Sequence, residues 1–233
     1  MLYKKIFKRI FDVVISFVGL AVLSPILVVI AAAISLDSSG GVLYRSERVG
    51  LNGRHFRLYK FRSMQPNTDR EGFLNVGNRD PRITRIGHIL RNTKLDELVQ
   101  LFNVFVGNMS LVGPRPELPF YVASYTSEQR CILNVKPGVT DWASIVHFAQ
   151  FDDFTKDNDP DAYYTSHIQP TKLKLQQYYA ERYGLLMDCR CLWWTILKLF
   201  TRTRRLPKDI RTVIAAVSND LEDGSADQGV LLT

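Results

Sequence analysis

Residues 13–36 read VVISFVGLAVLSPILVVIAAAISL, from Val13 to Leu36 without a charged side chain. As one unbroken helix this stretch would be roughly 36 Å long, enough to cross a bilayer core of about 30 Å. Ser24 and Pro25 fall at its middle. Proline withholds a backbone donor and crowds the carbonyl four residues back, so a kink is expected there, with the Ser24 hydroxyl taking up a freed backbone group. Lys4, Lys5, Lys8 and Arg9 precede the run; Arg45, Arg48, Arg54, Arg57, Lys60 and Arg62 follow it. A simple span usually carries positive charge on its cytoplasmic side alone. Charge at both ends therefore predicts a re-entrant helical hairpin that turns at Ser24-Pro25 and leaves by the face it entered. On charge alone an ordinary tilted span with a tolerated proline is the alternative. A cleaved signal peptide fits less well, because the apolar core exceeds the usual ~7–15 residues.

Beyond Leu36 there is chain enough for one globular domain and no second run of spanning length. Lys and Arg total 30 against 23 Asp and Glu, a net charge of +7. That surplus suits anionic lipid headgroups, a phosphorylated substrate or nucleic acid. No nucleic-acid-binding motif accompanies it, so no nucleic-acid partner is expected. Cys131, Cys189 and Cys191 lack zinc spacing and are odd in number, as reduced cytosolic thiols would be.

The fold expected is α+β: the re-entrant hairpin, then a small cytoplasmic domain of helices with one β-hairpin, and interfacial amphipathic helices. Val42–Val49 and Arg54–Phe61 read as strands joined around Leu51-Asn52-Gly53, where Asn-Gly is a strong hairpin signal. Residues 65–85 are polar and read as a loop. Helices are expected at 86–91, 93–106 and 119–134, a short strand or loop at 139–145, an acidic loop at 152–160, and two further helices at 171–183 and 187–201. The last carries Trp193 and Trp194 ahead of a basic end. It suits a helix at the membrane interface, or a core helix with a solvated basic end. The domain boundaries are 1–36 for the membrane segment, 37–212 for the catalytic domain and 213–233 for a tail expected to be disordered.

Chemistry concentrates in Arg91-Asn92-Thr93-Lys94-Leu95-Asp96-Glu97-Leu98. Thr93 and Asp96 have the spacing of a helix capping box. That leaves Glu97 unexplained, since adjacent carboxylates repel unless a cation lies between them or one is protonated. A divalent metal on one carboxylate, with the other free as a nucleophile, resolves the conflict, and oxygen ligands point to magnesium. Pro114-Arg115-Pro116 presents one guanidinium on a stiff loop, suited to phosphate or carboxylate. Lys60 and Arg62 add two cations at a strand end.

The ordered set Arg9-Ile10-Phe11-Asp12, Ser24-Pro25, Lys60-Phe61-Arg62-Ser63-Met64, Leu95-Asp96-Glu97-Leu98 and Gly113-Pro114-Arg115-Pro116 resembles the bacterial sugar transferase family, the monotopic polyprenyl-phosphate phosphoglycosyl transferases, in its short single-domain form. The resemblance runs from about Lys4 to Phe200. It implies that Asp96 attacks the β-phosphate of a UDP-sugar, expels UMP and holds the sugar phosphate covalently. A polyprenyl phosphate, usually undecaprenyl phosphate, then accepts it, as the first membrane step of envelope glycan assembly. It further implies magnesium (Mg2+) on Glu97, a catalytic role for Arg91, and Arg115 near the nucleotide phosphates, with Pro114, Pro116, Lys60 and Arg62 on the substrate side. The setting would be the cytoplasmic face of a bacterial inner membrane, among its lipids, and a homodimer is compatible with it. Where many relatives follow Pro-Gly with Ile-Thr-Gly-Trp-Ala-Gln-Val-Asn-Gly-Arg, this chain has Val139-Thr140-Asp141-Trp142-Ala143-Ser144-Ile145-Val146, so the sugar does not carry over. The competing function is an inactive membrane-anchored scaffold of envelope assembly, against which the intact Arg91, Asp96, Glu97 and Arg115 set speaks.

Overall fold

In the computed structural model, which describes residues 6–66, 80–147, 164–201 and 206–216, the apolar run lies within one helix, α1 (Lys8–Asp37). Pro25 sits inside it without dividing it into two separate helices. The amide that Pro25 lacks would have met the Ala21 carbonyl, and the Ser24 hydroxyl donates to that oxygen at 2.8 Å instead. Among the residues of α1, Asp12, Ser16, Ile30 and Ile34 are buried, whereas Val22, Val28 and Val29 are exposed. A helix apolar on all sides and largely uncovered by protein is suited to a lipid environment. Among the described residues, α1 is the one helix long and apolar enough to cross a membrane, by length and composition.

Both ends of α1 are fastened to the domain that follows. Near its start, Lys8 Nζ donates to the Val112 carbonyl (2.9 Å) and to Asp188 Oδ2 (2.5 Å). Arg9 donates to the Val104 and Phe105 carbonyls at 2.7 and 2.8 Å. Asp12 Oδ1 accepts from Ser110 Oγ and from the Leu111 amide. At the far end, Ile30 and Ile34 pack with Phe61 and Leu90, and Asp37 Oδ2 accepts from the Ile86 amide at 3.1 Å.

The hairpin forms as its turn signal predicts. Strands β1 (Leu43–Val49) and β2 (His55–Phe61) pair antiparallel, with Leu43 opposite Phe61 and Val49 opposite His55. Asn52 and Gly53 both take positive φ, 55° and 75°, in the turn between them. After the polar segment come α2 (Arg85–Thr93), α3 (Gln100–Val106) and β3 (Ser110–Val112). A short α4 (Pro119–Ala123) and a 3-10 turn at Gln129–Asn134 replace the single helix expected over 119–134. The cause is a second start signal: Gln129 Oε1 accepts from the Thr126 amide while Thr126 Oγ1 accepts from the Gln129 amide, a reciprocal cap that begins a new turn.

Strand β4 (Gly138–Thr140) runs parallel to β3, pairing Ser110 with Gly138 and Val112 with Thr140, and leads into α5 (Trp142–His147). Helices α6 (Gln169–Arg182) and α7 (Leu185–Thr201) meet at Gly184, and α8 spans residues 208–216. The main core gathers Val104, Met109, Trp142, Leu175, Tyr179, Cys191 and Ile210. On α7 the two tryptophans part company. Trp194 packs against this core while Trp193, with Leu186 and Ile196, stands exposed. The acidic loop at 152–160, most of the polar loop, the cations at 202–205 and the tail from Ser218 lie outside the described residues.

Candidate active site

Helix α2 starts at Thr84, whose hydroxyl accepts from the Gly87 amide at 2.9 Å. It ends at Lys94, which takes the left-handed conformation (φ 58°, ψ 17°) that non-glycine residues rarely adopt. The capping box read at Thr93 and Asp96 does not form, because Thr93 is the last residue of α2 and its hydroxyl donates back to the Ile89 carbonyl at 2.7 Å. The reversal at Lys94 throws Leu95-Asp96-Glu97 into a 3-10 turn between α2 and α3. Helix α3 is then docked on the outer edge of β2 by a buried amide. Asn103 Nδ2 donates to the Arg57 carbonyl and Oδ1 accepts from the Tyr59 amide, at 2.8 and 3.0 Å. This docking sets the carboxylate turn beside Lys60 at the end of β2.

Arg115 arrives from the other sheet. Its loop leaves β3 through Gly113, where an added Cβ would lie 2.3 Å from the Lys136 carbonyl oxygen; at Gly138 it would lie 2.1 Å from the Gly113 nitrogen. Only glycine at both positions lets the two backbones meet. The Gly138 amide donates to the Pro114 carbonyl across this contact, and Pro114 and Pro116 are both buried. The backbone of Arg115 is held on both sides: Asp141 Oδ2 accepts its amide at 2.9 Å, and Gln176 Nε2 donates to its carbonyl at 3.2 Å. Gln176 also donates to Asp141 Oδ2, and Asp141 Oδ1 caps α5 through the Ser144 amide at 2.6 Å. The guanidinium of Arg115 donates to the Val139 carbonyl (3.2 Å) and to Glu97 Oε1.

Lys60 Nζ donates to the same Glu97 oxygen at 3.0 Å. Burial alone would raise the Glu97 carboxyl, but Arg115 and Lys60 outweigh it and hold the group well below the usual carboxylate range. Asp96 is in the opposite condition. It is 7% exposed, burial pushes its carboxyl up, and its Oδ1 is dry with no hydrogen-bond partner. Arg91, at the end of α2, is desolvated and lies within electrostatic reach of Asp96 and Asp80, its guanidinium without a hydrogen bond among the described residues. The structure thus brings Asp96, Glu97, Arg91, Lys60 and Arg115 together. Arg62 is elsewhere: its guanidinium donates to the carbonyls of Ser38 (2.9 Å) and Ser39, closing the end of α1.

A profile of the family described as "Bacterial sugar transferase" matches residues 3–202. The chain belongs to that family. It is 33% identical over 199 residues to an Aeromonas hydrophila protein named UDP-N-acetylgalactosamine-undecaprenyl-phosphate N-acetylgalactosaminephosphotransferase, over 83% of this chain and 44% of that one. It is 43% identical over 121 residues to a putative undecaprenyl-phosphate N-acetylgalactosaminyl 1-phosphate transferase of Bacillus subtilis, covering 52% of this chain and 68% of that one. A UDP-glucose:undecaprenyl-phosphate glucose-1-phosphate transferase of Escherichia coli is 38% identical over 148 residues, 60% of this chain and 31% of its own length. The chain therefore spans less than half of the first of these relatives and under a third of the last.

The paired carboxylates Asp96 and Glu97 suit magnesium by their donor chemistry. Both cations fall on Glu97 Oε1, which leaves Oε2 and Asp96 Oδ1 without a hydrogen bond among the described residues. No cluster of three or more His, Cys, Asp or Glu that could hold a metal occurs among the described residues. Magnesium matches such a sparse donor set, since it binds through one or two carboxylates and completes its shell with substrate phosphates and water.

Of three further residues that build the site, two escape a reading of the sequence alone. Asn103 sits in an apolar helix and Gln176 in a polar one, and neither carries a local signal of its long-range bonds. Asp141 could have been found: it falls where many relatives have glycine, and a buried acid there needs partners, which are the Arg115 amide, Gln176 and Ser144.

Proposed function

We propose that this chain is a phosphoglycosyl transferase that moves a sugar 1-phosphate from a UDP-sugar to polyprenyl phosphate, undecaprenyl phosphate in a bacterium, through a covalent intermediate on Asp96. The observation that carries the reading is the contrast between the paired carboxylates. Glu97 is fixed and ionised by two cations, while Asp96 keeps a buried oxygen that nothing in the described structure engages. A carboxylate stripped of water and of donors is a stronger nucleophile than a solvated one.

In the first half-reaction an Asp96 oxygen forms a bond to the β-phosphorus of the donor, and the bond from that phosphorus to the bridging oxygen breaks. UMP leaves with the electron pair, and the sugar phosphate stays on Asp96 as an acyl phosphate. In the second, an oxygen of polyprenyl phosphate attacks the same phosphorus and frees the Asp96 carboxylate, giving polyprenyl diphosphosugar. Arg115 and Lys60, held by Glu97, and Arg91 beside Asp96 supply positive charge where it accumulates on the transferring and leaving phosphates. Glu97, together with substrate phosphates, would hold Mg2+, which neutralises phosphate charge when bound.

Re-entrant placement of α1, with the catalytic domain on the cytoplasmic face, belongs to the same proposal. It is supported by the attachment of both ends of α1 to one domain: Lys8, Arg9 and Asp12 at the start, Ile34 and Asp37 at the finish. Contacts at both ends with one domain favour a helix that stays on that domain's side of the bilayer. Helix α3, which directly follows the carboxylate turn, packs on α1 with the Phe17 and Phe105 rings 6.0 Å apart, and leaves Phe102 and Val106 exposed. The exposed Trp193 face of α7 adds an interfacial surface. This arrangement supports a site at membrane level, where a lipid phosphate meets a soluble nucleotide sugar.

The test is UMP release from a panel of UDP-sugars by the purified chain in lipid nanodiscs, with and without undecaprenyl phosphate. A stoichiometric burst of UMP without acceptor and sustained turnover with it are expected for one or more sugars. Release that strictly requires the acceptor contradicts the covalent route, and no release from any donor rejects the reaction.

A further inference from the structure

Arginines that are not exposed usually spend their donors on protein. Among the described residues Arg9, Arg62, Arg82, Arg115 and Arg190 do so, each donating to a carbonyl or carboxylate. Two that are partly buried do not: Arg91, beside Asp96, and Arg48 on β1. The Arg48 Nε is dry and has no hydrogen-bond partner. Leaving a buried donor unpaired costs about 1–3 kcal/mol, and a charged one more, so such a group calls for an acceptor that arrives from outside.

The hairpin register says where that acceptor would be. Alternation along β1 puts Tyr44, Ser46 and Arg48 on one face, opposite Lys60, Leu58 and Phe56 of β2. Lys60 on this face is the residue that reaches Glu97, so Arg48 lies on the same side of the sheet as the candidate site. Burial pushes its guanidinium down, Glu117 opposes that, and Arg115 adds to it by like-charge repulsion. Glu117 is the one acid among these influences, and its Oε1 already accepts from the Tyr164 hydroxyl and Lys172 Nζ; it makes no ion pair with Arg48. Arg48 and Arg115 are thus within electrostatic reach of each other, and among the described residues no acid makes an ion pair with both.

We infer that Arg48 is a phosphate-binding residue of this site, its guanidinium receiving an anionic oxygen of a phosphorylated substrate alongside Arg115. The inference rests on the phosphoryl-transfer reading and extends its binding surface along the hairpin face to β1. A phosphate between the two guanidiniums would fill the unpaired Nε and relieve the repulsion at once. The phosphate could be that of the nucleotide donor or that of the lipid acceptor.

The experiment is equilibrium binding to the full chain in nanodiscs, with UDP as one probe and a short-chain polyprenyl monophosphate as the other, for the unaltered protein, Arg48→Gln and Arg48→Lys. Melting temperature is read on each. Arg48→Gln should weaken one probe by tenfold or more, and Arg48→Lys, which keeps the charge without the fork, should recover part of the loss. A loss confined to UDP assigns the contact to the donor; a loss confined to the lipid phosphate assigns it to the acceptor. Unchanged binding of both probes in the variants, with or without a lowered melting temperature, makes Arg48 a structural partner of Glu117 and overturns the inference alone. Should Arg48→Gln not fold, Arg48→Lys decides by the same comparison. Failure of the unaltered protein to bind either probe removes the phosphoryl-transfer reading, and this inference with it.

Discussion

Glu97 and Asp96 are neighbours in sequence and opposites in circumstance. Glu97 is gripped by Lys60 and Arg115, and Arg115 is itself gripped by Val139, Asp141 and Gln176. Asp96, Arg91 and Arg48 carry charge in partly or fully buried places, and their side chains make no hydrogen bond to the described residues. The saturated groups form a frame, and the unsaturated ones are what the frame presents. Folding does not favour unpaired buried charge, and on the proposed phosphoryl-transfer reading substrate would complete the structure at these positions.

The largest break in that comparison should come from the presented side. Asp96→Asn keeps the size of the side chain and removes the nucleophile, so turnover should fall by about a thousandfold or more while the melting temperature holds or rises. Removing the frame's principal donor should follow. Arg115→Lys retains charge but cannot reach Glu97 and the Val139 carbonyl together, and a loss of about 100-fold in kcat/KM is expected. Lys8→Met acts through the anchor of α1. It leaves the buried Asp188 carboxylate without its cation, at a stability cost of about 3 kcal/mol seen as a lower melting temperature in detergent.

Smaller effects sharpen the distinction. Gln176→Leu removes one of two holds on the Arg115 backbone and should lower kcat/KM about tenfold with donor KM rising, because the loop loses position before it loses chemistry. Ser24→Ala strips the hydroxyl from the Ala21 carbonyl, and about 0.5–1 kcal/mol of stability should go with it. Circular dichroism should show α1 still helical in that variant.

What could be read from the sequence divides along similar lines. The β-hairpin was legible because Asn52-Gly53 is a local turn signal between alternating strands, and the Ser24 bond to a freed carbonyl follows from the missing donor of Pro25. The break at Lys94 was not, since nothing in Arg91-Asn92-Thr93-Lys94 announces a left-handed residue, and the spacing of Thr93 and Asp96 imitates a helix start. The parallel pairing of β3 with β4 was equally hidden: each strand is three residues long, and their register is set by the contact of Gly113 with Gly138 across the chain. In the site, Asp96, Glu97 and Arg115 stood out as charges crowded against each other or fixed by prolines. Arg62, adjacent in type and position, proved to serve the end of α1, because its partners are backbone carbonyls that no composition reveals.

The central claim is that Asp96 itself takes up the phosphosugar. Its most direct test is intact-protein mass spectrometry of the chain mixed with a productive UDP-sugar in the absence of polyprenyl phosphate. The predicted result is a species heavier by one sugar phosphate, mapped by proteolysis to the peptide containing Asp96, absent in Asp96→Asn and discharged when polyprenyl phosphate is added. An Asp96→Asn protein that still acquires the adduct, or still turns over at a substantial fraction of the original rate, would contradict it.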